Sequence, residues 1–285
     1  MASFWNGSVI GKRADMPARP SGIWSVRQQG NLKRENQWTI KSPSELSGLV
    51  MWLDGADGAT VFDATSGGNQ VTAGNAVARW EDKSTNALHF TQSTANNRPL
   101  YVSGGGLDFD GSNDQLQATN GSNVLAGLTA FSLFVVFNAD SFSGDPMLLR
   151  FDTQSTTDFI FELGQNTGTQ NISYLGESSV STLFRTYTNA NNVTLSTAKT
   201  YVVDFKKRAA LEGVFSVNNT EYYAHTGGLA ANDVRSNQNS TIGAYANNTY
   251  FNGKIYEVIA YSRNLSVNES QAVRGYLMSK WSITP

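Results

Sequence analysis

Hydrophobic residues recur along the chain in short runs that predict β-strands. The most apolar run is 131–137, which is hydrophobic on both alternating faces and is therefore typical of a strand at the centre of a sandwich. Further strands are predicted where apolar and polar residues alternate, or where β-branched and aromatic residues cluster. These runs are 158–163, 200–205, 213–217, 220–223, 240–245 and 254–261.

Asparagine, glycine and basic residues between the runs predict where strands end. The asparagine pair 218–219 separates two runs in a pattern typical of a β-hairpin. Turns are also predicted at the asparagine pair 247–248 and at the Asn-Gly pair 252–253. The basic run 206–208 is expected to end the strand before it and to be solvated.

One helix is predicted near the end of the sequence. Ser266 and Glu269 form a capping box, in which each side chain accepts a backbone N–H at the start of the helix. Four apolar residues then share one face at helical spacing, namely Val273, Tyr276, Leu277 and Trp281. A shorter helical turn is predicted at 44–47.

The composition narrows the class of protein. Of the 285 residues, 40% are hydrophobic and 15% are charged, whereas an average protein is about 25% charged. Glycine, with 26 residues, and abundant Asn, Ser and Thr are expected where many strands are joined by many turns. This composition excludes a coiled coil, a helical bundle and a disordered polar chain.

Several kinds of site are excluded by residue counts. The chain has no cysteine and two histidines, which excludes a disulfide scaffold, a thiolate zinc site and a cysteine nucleophile. The net charge of −2 argues against a protein that binds nucleic acid through its overall field. No run of 18 apolar residues is present, so no membrane partner is predicted. The first residues lack the apolar segment of a signal peptide, and we expect the protein to be made and assembled in a cytoplasm.

Charge divides the chain into two regions. Residues 1–43 carry seven basic and two acidic residues, which gives +5, whereas residues 44–285 carry a net −7. The first region also holds three of the six prolines and shows no sustained strand or helix period. We therefore predict an extended docking arm at 1–43 and a β-sandwich at 44–285.

The arm is also rich in aromatic residues, unlike most disordered tails. Tryptophan and arginine are the residues most enriched at interface hot spots, so the arm is predicted to fold onto a partner protein. The alternative is that the arm packs back on its own acidic body. The predicted docking residues are Phe4, Trp5, Trp24 and Trp38 as apolar anchors, with Lys12, Arg13, Arg19, Arg27, Lys33 and Arg34 facing an acidic surface.

Five sequence blocks occur in a recognisable order. The segment 48–54 reads Gly-Leu-Val-Met-Trp-Leu-Asp, and 80–86 reads Trp-Glu-Asp-Lys-Ser-Thr-Asn. The other three blocks are 107–114, 253–266 and 275–281. Together they resemble the concanavalin A-like lectin/glucanase family in its laminin-G-like form. The resemblance implies an all-β jelly-roll sandwich of two antiparallel sheets, followed by the short C-terminal helix.

A second resemblance concerns the arm. The segment 20–26 (Pro-Ser-Gly-Ile-Trp-Ser-Val), followed by Trp38, is similar to segments found beside such domains in tailed-bacteriophage virion proteins. It implies a structural protein of a phage particle (head decoration, fibre or tail component) that docks to other virion proteins and forms a homo-oligomer. The alternative is a lectin-like module that recognises glycans on a host surface.

An enzyme is the third hypothesis, because the resembled family includes glucanases. Retaining glycosidases need two carboxylates about 5–5.5 Å apart, and the family's enzymes carry Glu-x-Asp-x-x-Glu on a strand. This motif is absent from the sequence, so no enzyme is predicted. Glu257, in the strand 254–261, is interpreted as a polar residue near a sheet edge.

Two further groups are candidates for ligand binding. Asp108, Asp110 and Asp114 form the densest acidic cluster and are predicted to stabilise a structural turn, with a Ca²⁺ site as the alternative. Trp80 precedes two acidic residues and is a candidate for stacking on a sugar, whereas Trp52 is predicted to lie in the core. No cofactor is predicted.

Overall fold

The computed structural model describes residues 39–118, 124–125, 127–142, 147–153, 156–166, 169–177, 183–187, 195–208, 212–226, 239–245 and 249–284. The ten docking residues predicted in the arm precede residue 39 and lie outside these ranges, as does the turn predicted at 247–248. Residues Thr39–Pro285 form one compact unit. Its first turn is buried against the body, since Ile40 is 5% exposed and Pro43 accepts a hydrogen bond from the Tyr261 hydroxyl.

The described residues form 19 strands, and all of the pairings between them are antiparallel. In chain order the strands are β1 (Leu49–Asp54), β2 (Val61–Phe62), β3 (Arg79–Trp80), β4 (Phe90–Thr91), β5 (Leu100–Tyr101), β6 (Leu107–Asp110), β7 (Leu116–Ala118), β8 (Phe131–Ala139), β9 (Met147–Thr153), β10 (Thr156–Asn166), β11 (Thr169–Glu177), β12 (Leu183–Tyr187), β13 (Tyr201–Arg208), β14 (Glu212–Val217), β15 (Thr220–Thr226), β16 (Asn239–Ile242), β17 (Ala244–Tyr245), β18 (Thr249–Tyr250) and β19 (Asn252–Tyr261).

The strands form two large sheets and one small one. Sheet A has eight strands in the order β15-β14-β13-β8-β19-β6-β5, and β1 also pairs with β19. Sheet B has nine strands in the order β12-β11-β10-β9-β16-β7-β4-β3-β2. Strands β17 and β18 form the small sheet. This arrangement confirms the predicted all-β sandwich of two antiparallel sheets.

Both large sheets contribute to one hydrophobic core. Leu53 and Phe137 of sheet A belong to the same buried cluster as Phe90 and Phe151 of sheet B. The run predicted to be apolar on both faces is β8, and its first seven residues are all buried. Its inner face joins the core, whereas Ser132 on its outer face bonds to Arg263 and Leu265, just before the helix.

The predicted helix is confirmed as α1 (Val267–Lys280). Its capping box is formed as expected, since Ser266 Oγ accepts from the Glu269 N–H at 3.3 Å and Glu269 Oε2 accepts from the Ser266 N–H at 2.9 Å. Val273 is buried on the predicted face, whereas Trp281 is only half-buried. The turn predicted at 44–47 is a 3₁₀ turn at Pro43–Glu45.

Three predicted strand boundaries are wrong. Strand β13 continues through Lys206 and Lys207, which are 1% and 8% exposed, because pairing with β8 and β14 keeps the backbone extended. The Asn-Gly pair begins β19 instead of forming a turn. Gly253 has φ +143°, and a Cβ there would collide with the Asn138 carbonyl oxygen. Gly243, with φ +85°, divides the run 240–245 between β16 and β17.

An irregularity in β19 decides which face its acidic residue occupies. The pairing of β19 with β8 shifts between Ile255 and Glu257. Ile255 and Val258 both belong to the core. Glu257 therefore lies on the outer face of sheet A, the face that α1 covers.

Candidate functional site

On the outer face of sheet A, a lysine of α1 bridges two buried carboxylates. Asp54 and Glu257 are cross-strand partners and are 5% and 0% exposed. The Lys280 ammonium lies 2.5 Å from Asp54 Oδ1 and 2.8 Å from Glu257 Oε2. It offsets the repulsion that two like charges would otherwise exert across the strand pair.

Two indole groups complete the hydrogen bonding of Glu257. Trp52 Nε1 donates to Oε1 at 2.8 Å, and Trp281 Nε1 donates to Oε2 at 2.7 Å. Burial raises the pKa of Glu257, while the charge of Lys280 opposes the shift. The interpretation of Glu257 as a residue near a sheet edge is therefore wrong, because β19 is an internal strand. Trp52 is half-buried on the outer face, so its predicted core position is also wrong.

A second lysine, Lys83, contacts the other carboxylate oxygen of Asp54. Lys83 Nζ lies 3.0 Å from Asp54 Oδ2 and 2.8 Å from Asp57 Oδ2, and it is 4.2 Å from the centre of the Trp52 ring. Burial alone would lower the pKa of Lys83, but hydrogen bonds and charges from Asp57 and Asp54 outweigh it and raise the pKa. We call Asp54, Lys83, Glu257 and Lys280 the carboxylate clasp.

Two more ion pairs involve α1. One joins the helix to β13 of sheet A, and the other joins its first turn to the segment that precedes it. Arg274 donates to Asp204 Oδ1 at 2.8 Å, and their side chains are 5% and 0% exposed. Arg263 donates to both oxygens of Glu269 at 2.9 and 2.8 Å. The hydrogen bonds from Arg263 lower the pKa of Glu269 to about 2, although partial burial opposes this shift.

The carboxylate clasp has the properties of a structural junction. Its lysines and carboxylates satisfy one another, and Glu257 has no exposed surface on which a substrate could approach. These contacts show no sign of catalysis. Their effect is to hold α1 against sheet A.

A recess on sheet B has a different character. It lies where β4 ends and β7 begins, and Thr91 of β4 is the cross-strand partner of Gln117. The neighbouring residues Phe90, Leu116 and Ala118 belong to the core. Because side chains alternate along a strand, Thr91 and Gln117 lie on the outer face of sheet B.

The recess has a volume of about 360 Å³, and the described residues that line it are uncharged. Such a volume is near the lower end of the range of about 300–1,000 Å³ for small-molecule sites. We call it the amide groove. It is lined by Thr91, Gln92, Ser93, Thr94, Asn97, Gln115, Gln117 and Ala118.

One wall of the amide groove is held in place by its own hydrogen bonds. The Gln92 side chain accepts from the Thr94 N–H at 3.0 Å and donates to the Gln115 carbonyl oxygen at 3.1 Å. The Arg98 guanidinium donates to the carbonyl oxygens of Gln92 at 2.9 Å and Ser93 at 3.1 Å. The loop after β4 therefore has a defined conformation without a ligand.

Other polar side chains of the amide groove are unpaired. Within the described ranges, the side chains of Thr91, Asn97, Gln115 and Gln117 have no hydrogen-bond partner. Gln115 as a whole residue is 8% exposed, but its amide atoms are not among the fully buried unpaired ones, so they remain open to solvent or to a ligand. A ligand that offers donors and acceptors would satisfy these groups.

The structure corrects the predicted sugar contact at Trp80. Trp80 has no exposed surface and lies in the core, where β3 pairs with both β2 and β4. Its ring is therefore not available for stacking on a sugar from solvent. The alternation of β3 places Arg79 on the outer face instead, over the ring of Phe62.

The acidic cluster at 107–114 is engaged in local contacts. Asp114 Oδ2 accepts from the Asp110 N–H at 3.0 Å, and Asp110 Oδ1 accepts from the Ser112 N–H at 2.8 Å. Lys254 lies 3.4 Å from Asp108. Burial, with the charges of Asp110 and Asp108, raises the pKa of Asp114 to about 6, against the hydrogen bond from Asp110. In the part of the chain that the structure describes, no group of three or more His, Asp or Glu side chains is placed to hold a metal.

The sequence did not single out the residues of the amide groove. Thr91 and Gln117 occupy outward positions of short strands, which alternation can indicate, but similar residues are abundant elsewhere in the chain.

The described residues contain no helix of the length and apolar character needed to cross a membrane.

Comparison with known proteins gives relatives in fold alone. No protein family matches the sequence, and no curated protein matches it either. Among solved structures, Trypanosoma rangeli sialidase, in complex with 2,3-difluoro-KDN, is 15% identical with a TM-score of 0.55. That match covers 84% of this chain and 34% of the sialidase, so this chain spans about a third of its length.

Two other similar structures are described as domains. Domain 4 of AbnA, an extracellular arabinanase from Geobacillus stearothermophilus in complex with arabinotriose, is 14% identical with a TM-score of 0.52. The match covers 79% of this chain and 97% of that domain. The ligand-binding domain of botulinum neurotoxin serotype D, in complex with N-acetylneuraminic acid, is 11% identical with a TM-score of 0.55, over 80% of this chain and 50% of the other. None of these three descriptions mentions a virus particle, so they do not support the resemblance to virion proteins.

Proposed function

We propose that this protein is a carbohydrate-binding module and that the amide groove holds the sugar. The observation that carries this proposal is the unpaired side-chain amide of Gln115, 8% exposed in a recess that also offers Asn97, Gln117 and Thr91. A carboxamide both donates and accepts hydrogen bonds, as does a sugar hydroxyl. The groove therefore complements adjacent hydroxyl groups.

The conformation of the groove favours binding. Gln92 and Arg98 hold the loop after β4 through hydrogen bonds that need no ligand. A preorganised site loses less conformational entropy when it binds. Each net hydrogen bond contributes about 0.5–1.5 kcal/mol, so a few of them support weak to moderate affinity.

The comparisons support this proposal through the fold. The arabinanase domain and the neurotoxin domain are both described in complex with a sugar. Their low identity gives no information on which residues of this chain contact a ligand. The proposed position of the site rests on the groove itself.

The proposed function is binding without catalysis. The buried carboxylates Asp54 and Glu257 are both held by Lys280. Among the described residues that line the amide groove, none is ionisable and could serve as a general acid or base. The module is expected to bind an oligosaccharide and release it unchanged.

The test is a glycan array of neutral and acidic oligosaccharides probed with the full chain. We expect binding that falls about tenfold or more in Gln115→Ala and in Gln117→Ala, since each loses at least one hydrogen bond. Gln70→Ala is the matched control, because Gln70 is exposed and lies outside the groove. Absence of binding to every glycan, or equal binding by all three variants, would refute the proposed site.

The arm supports a second hypothesis that is independent of the groove. Its net charge of +5 and its three tryptophans favour docking to an acidic partner, such as another virion protein or a second copy of this chain. A chain that starts at Thr39 keeps the buried Ile40 and Pro43 and removes the ten predicted docking residues. If the arm is the dock, this truncation abolishes binding to particles and changes the oligomeric state, while glycan binding is retained.

A further inference from the structure

The described residues that line the amide groove contribute hydroxyl, amide and methyl groups and no ionisable side chain. The charged groups next to it are already engaged. Arg79, the cross-strand partner of Thr91, lies 3.0 Å from Glu81 and donates to the Ala64 carbonyl oxygen. Arg98 donates to three main-chain carbonyl oxygens, and Asp114 accepts the N–H of Asp110. A ligand in the groove therefore meets dipoles, with no side-chain charge of the lining to pair with its own.

We infer that the amide groove takes uncharged saccharides and discriminates against acidic ones, such as sialic and uronic acids; this inference rests on the proposed function. A carboxylate that enters the groove loses hydration and meets no cation among the described lining residues, while Arg79 and Arg98 beside the groove already donate to protein acceptors. Proteins that bind carboxylates tightly use charge-assisted hydrogen bonds, most often from arginine. The sandwich region 44–285 carries a net charge of −7, which adds a long-range repulsion of anions.

The lining also predicts how the neutral sugar is held. None of the described residues that line the groove is aromatic, so they offer no ring for a sugar to stack on. Recognition rests on hydrogen bonds to Gln115, Gln117, Asn97 and Thr91. Affinity between uncharged partners changes little with ionic strength, whereas binding of an anion to a cation weakens as salt is added.

This specificity differs from that of a protein with a similar fold. The neurotoxin domain is described in complex with N-acetylneuraminic acid, which is an acidic sugar. Functional sites differ among proteins that share a fold, because side chains on the scaffold determine the ligand. In this chain the uncharged groove favours a ligand without a carboxylate.

The test compares matched ligands that differ by carboxylate groups. The full chain is titrated calorimetrically with galactotriose and trigalacturonic acid, and with the neutral and acidic forms of any array hit. We expect the neutral member to bind about tenfold or more tightly in every pair that binds, with an affinity that is the same at low and physiological salt. The loss of that affinity in Gln115→Ala assigns it to the groove.

The possible failures are distinguishable. If the acidic member of a pair binds as tightly or more tightly, the inference is wrong while the proposed function stands. If no glycan binds at all, the proposed function is wrong and the inference fails with it.

A gain-of-function variant tests the physical cause. Gln117→Lys places an ammonium at the exposed rim, so we expect the ratio of the acidic to the neutral affinity to rise about tenfold and binding of the acidic member to become sensitive to salt. Gln70→Lys adds the same charge elsewhere and is expected to leave the ratio of the two affinities unchanged. An unchanged ratio in Gln117→Lys, or an equal rise in Gln70→Lys, would overturn the inference.

Discussion

The outer faces of the two sheets differ in the kind of polar side chain they carry and in how those side chains are paired. On sheet A, α1 covers buried ion pairs, such as Asp204 with Arg274 and Asp54 with Lys280, although Asp204 Oδ2 and Arg274 Nε have no hydrogen-bond partner among the described residues. On sheet B, the amide groove exposes uncharged groups that are unpaired, such as the amide of Gln117. Buried ions are stable only when paired, whereas unpaired dipoles remain available to a ligand. The comparison separates a face that maintains the fold from a face suited to binding.

Four of the five sequence blocks that resemble the concanavalin A-like family contribute residues to the first of these faces. Trp52 and Asp54 come from 48–54, Lys83 from 80–86, and Glu257 from 253–266. The last block, 275–281, supplies Lys280 and Trp281, which also bond to Glu257. The resemblance therefore reports the architecture that holds α1, and it carries no information on a ligand.

The largest expected effect comes from breaking a buried pair on sheet A. Arg274→Met leaves Asp204 buried without its cation, and we expect the free energy of unfolding to fall by about 3–5 kcal/mol. Chemical denaturation in urea measures this change. Adding Asp204→Asn removes the unpaired charge and should restore part of the loss; a decrease below about 1 kcal/mol in Arg274→Met would show that the pair is not essential.

Lys280→Met tests the carboxylate clasp in the same way. It leaves Asp54 facing Glu257 without the bridging ammonium, and we expect a loss of about 2–4 kcal/mol. Lys83 still holds Asp54, and the Lys280 side chain is 20% exposed, so the effect should be smaller than for Arg274. Glu257→Gln in the same chain removes the repulsion and should recover stability. No recovery would mean that Lys280 acts through packing alone.

Asp114→Asn tests a carboxyl group close to the amide groove. The pKa of Asp114 is raised from 3.8 to about 6, so the folded protein binds its proton more tightly than the unfolded chain does. Its contribution to stability is complete below about pH 4 and is lost as the pH rises through about 6. The carboxamide of the variant would keep an acceptor for the Asp110 N–H, so we expect the variant to be about 1–2 kcal/mol more stable at pH 7.

The measurement for Asp114 is urea denaturation from pH 4 to pH 8. The expected signature is a decrease of stability with pH in the wild-type chain that is smaller in the variant. Parallel pH profiles of the two proteins would contradict the raised pKa. Glycan affinity at pH 7 provides the control, because Asp114 does not line the groove.

The smallest effect on stability is expected in the amide groove itself. Gln117 is exposed and unpaired in the described structure, so Gln117→Ala should change the free energy of unfolding by less than about 0.5 kcal/mol. The same substitution should abolish most of the glycan binding. A large loss of stability would show that sheet B relies on its polar groups as sheet A does.

Much of the fold could be predicted because its signals are local. The hairpin 213–223 follows from its asparagine pair, and α1 follows from the capping box at Ser266. The predictions for 206–208 and 252–253 are wrong because cross-strand pairing overrides local turn and charge preferences. These contacts join residues far apart in the sequence, where local patterns carry no signal.

The candidate site could not be predicted for a related reason. The amide groove forms only when the register of β4 and β7 brings Thr91 beside Gln117. Amide and hydroxyl residues are common throughout the chain, so neither of these residues stands out in the sequence. Trp80 did stand out, but its strand directs the ring into the core.

The bond between Asp54 and Lys280 joins residues that are 226 positions apart in the sequence. The segment between them includes nearly the whole sandwich. Contacts between residues that are far apart in sequence form slowly, because a long loop must close first. We therefore expect the carboxylate clasp to form late in folding, after the strands between its two ends have paired.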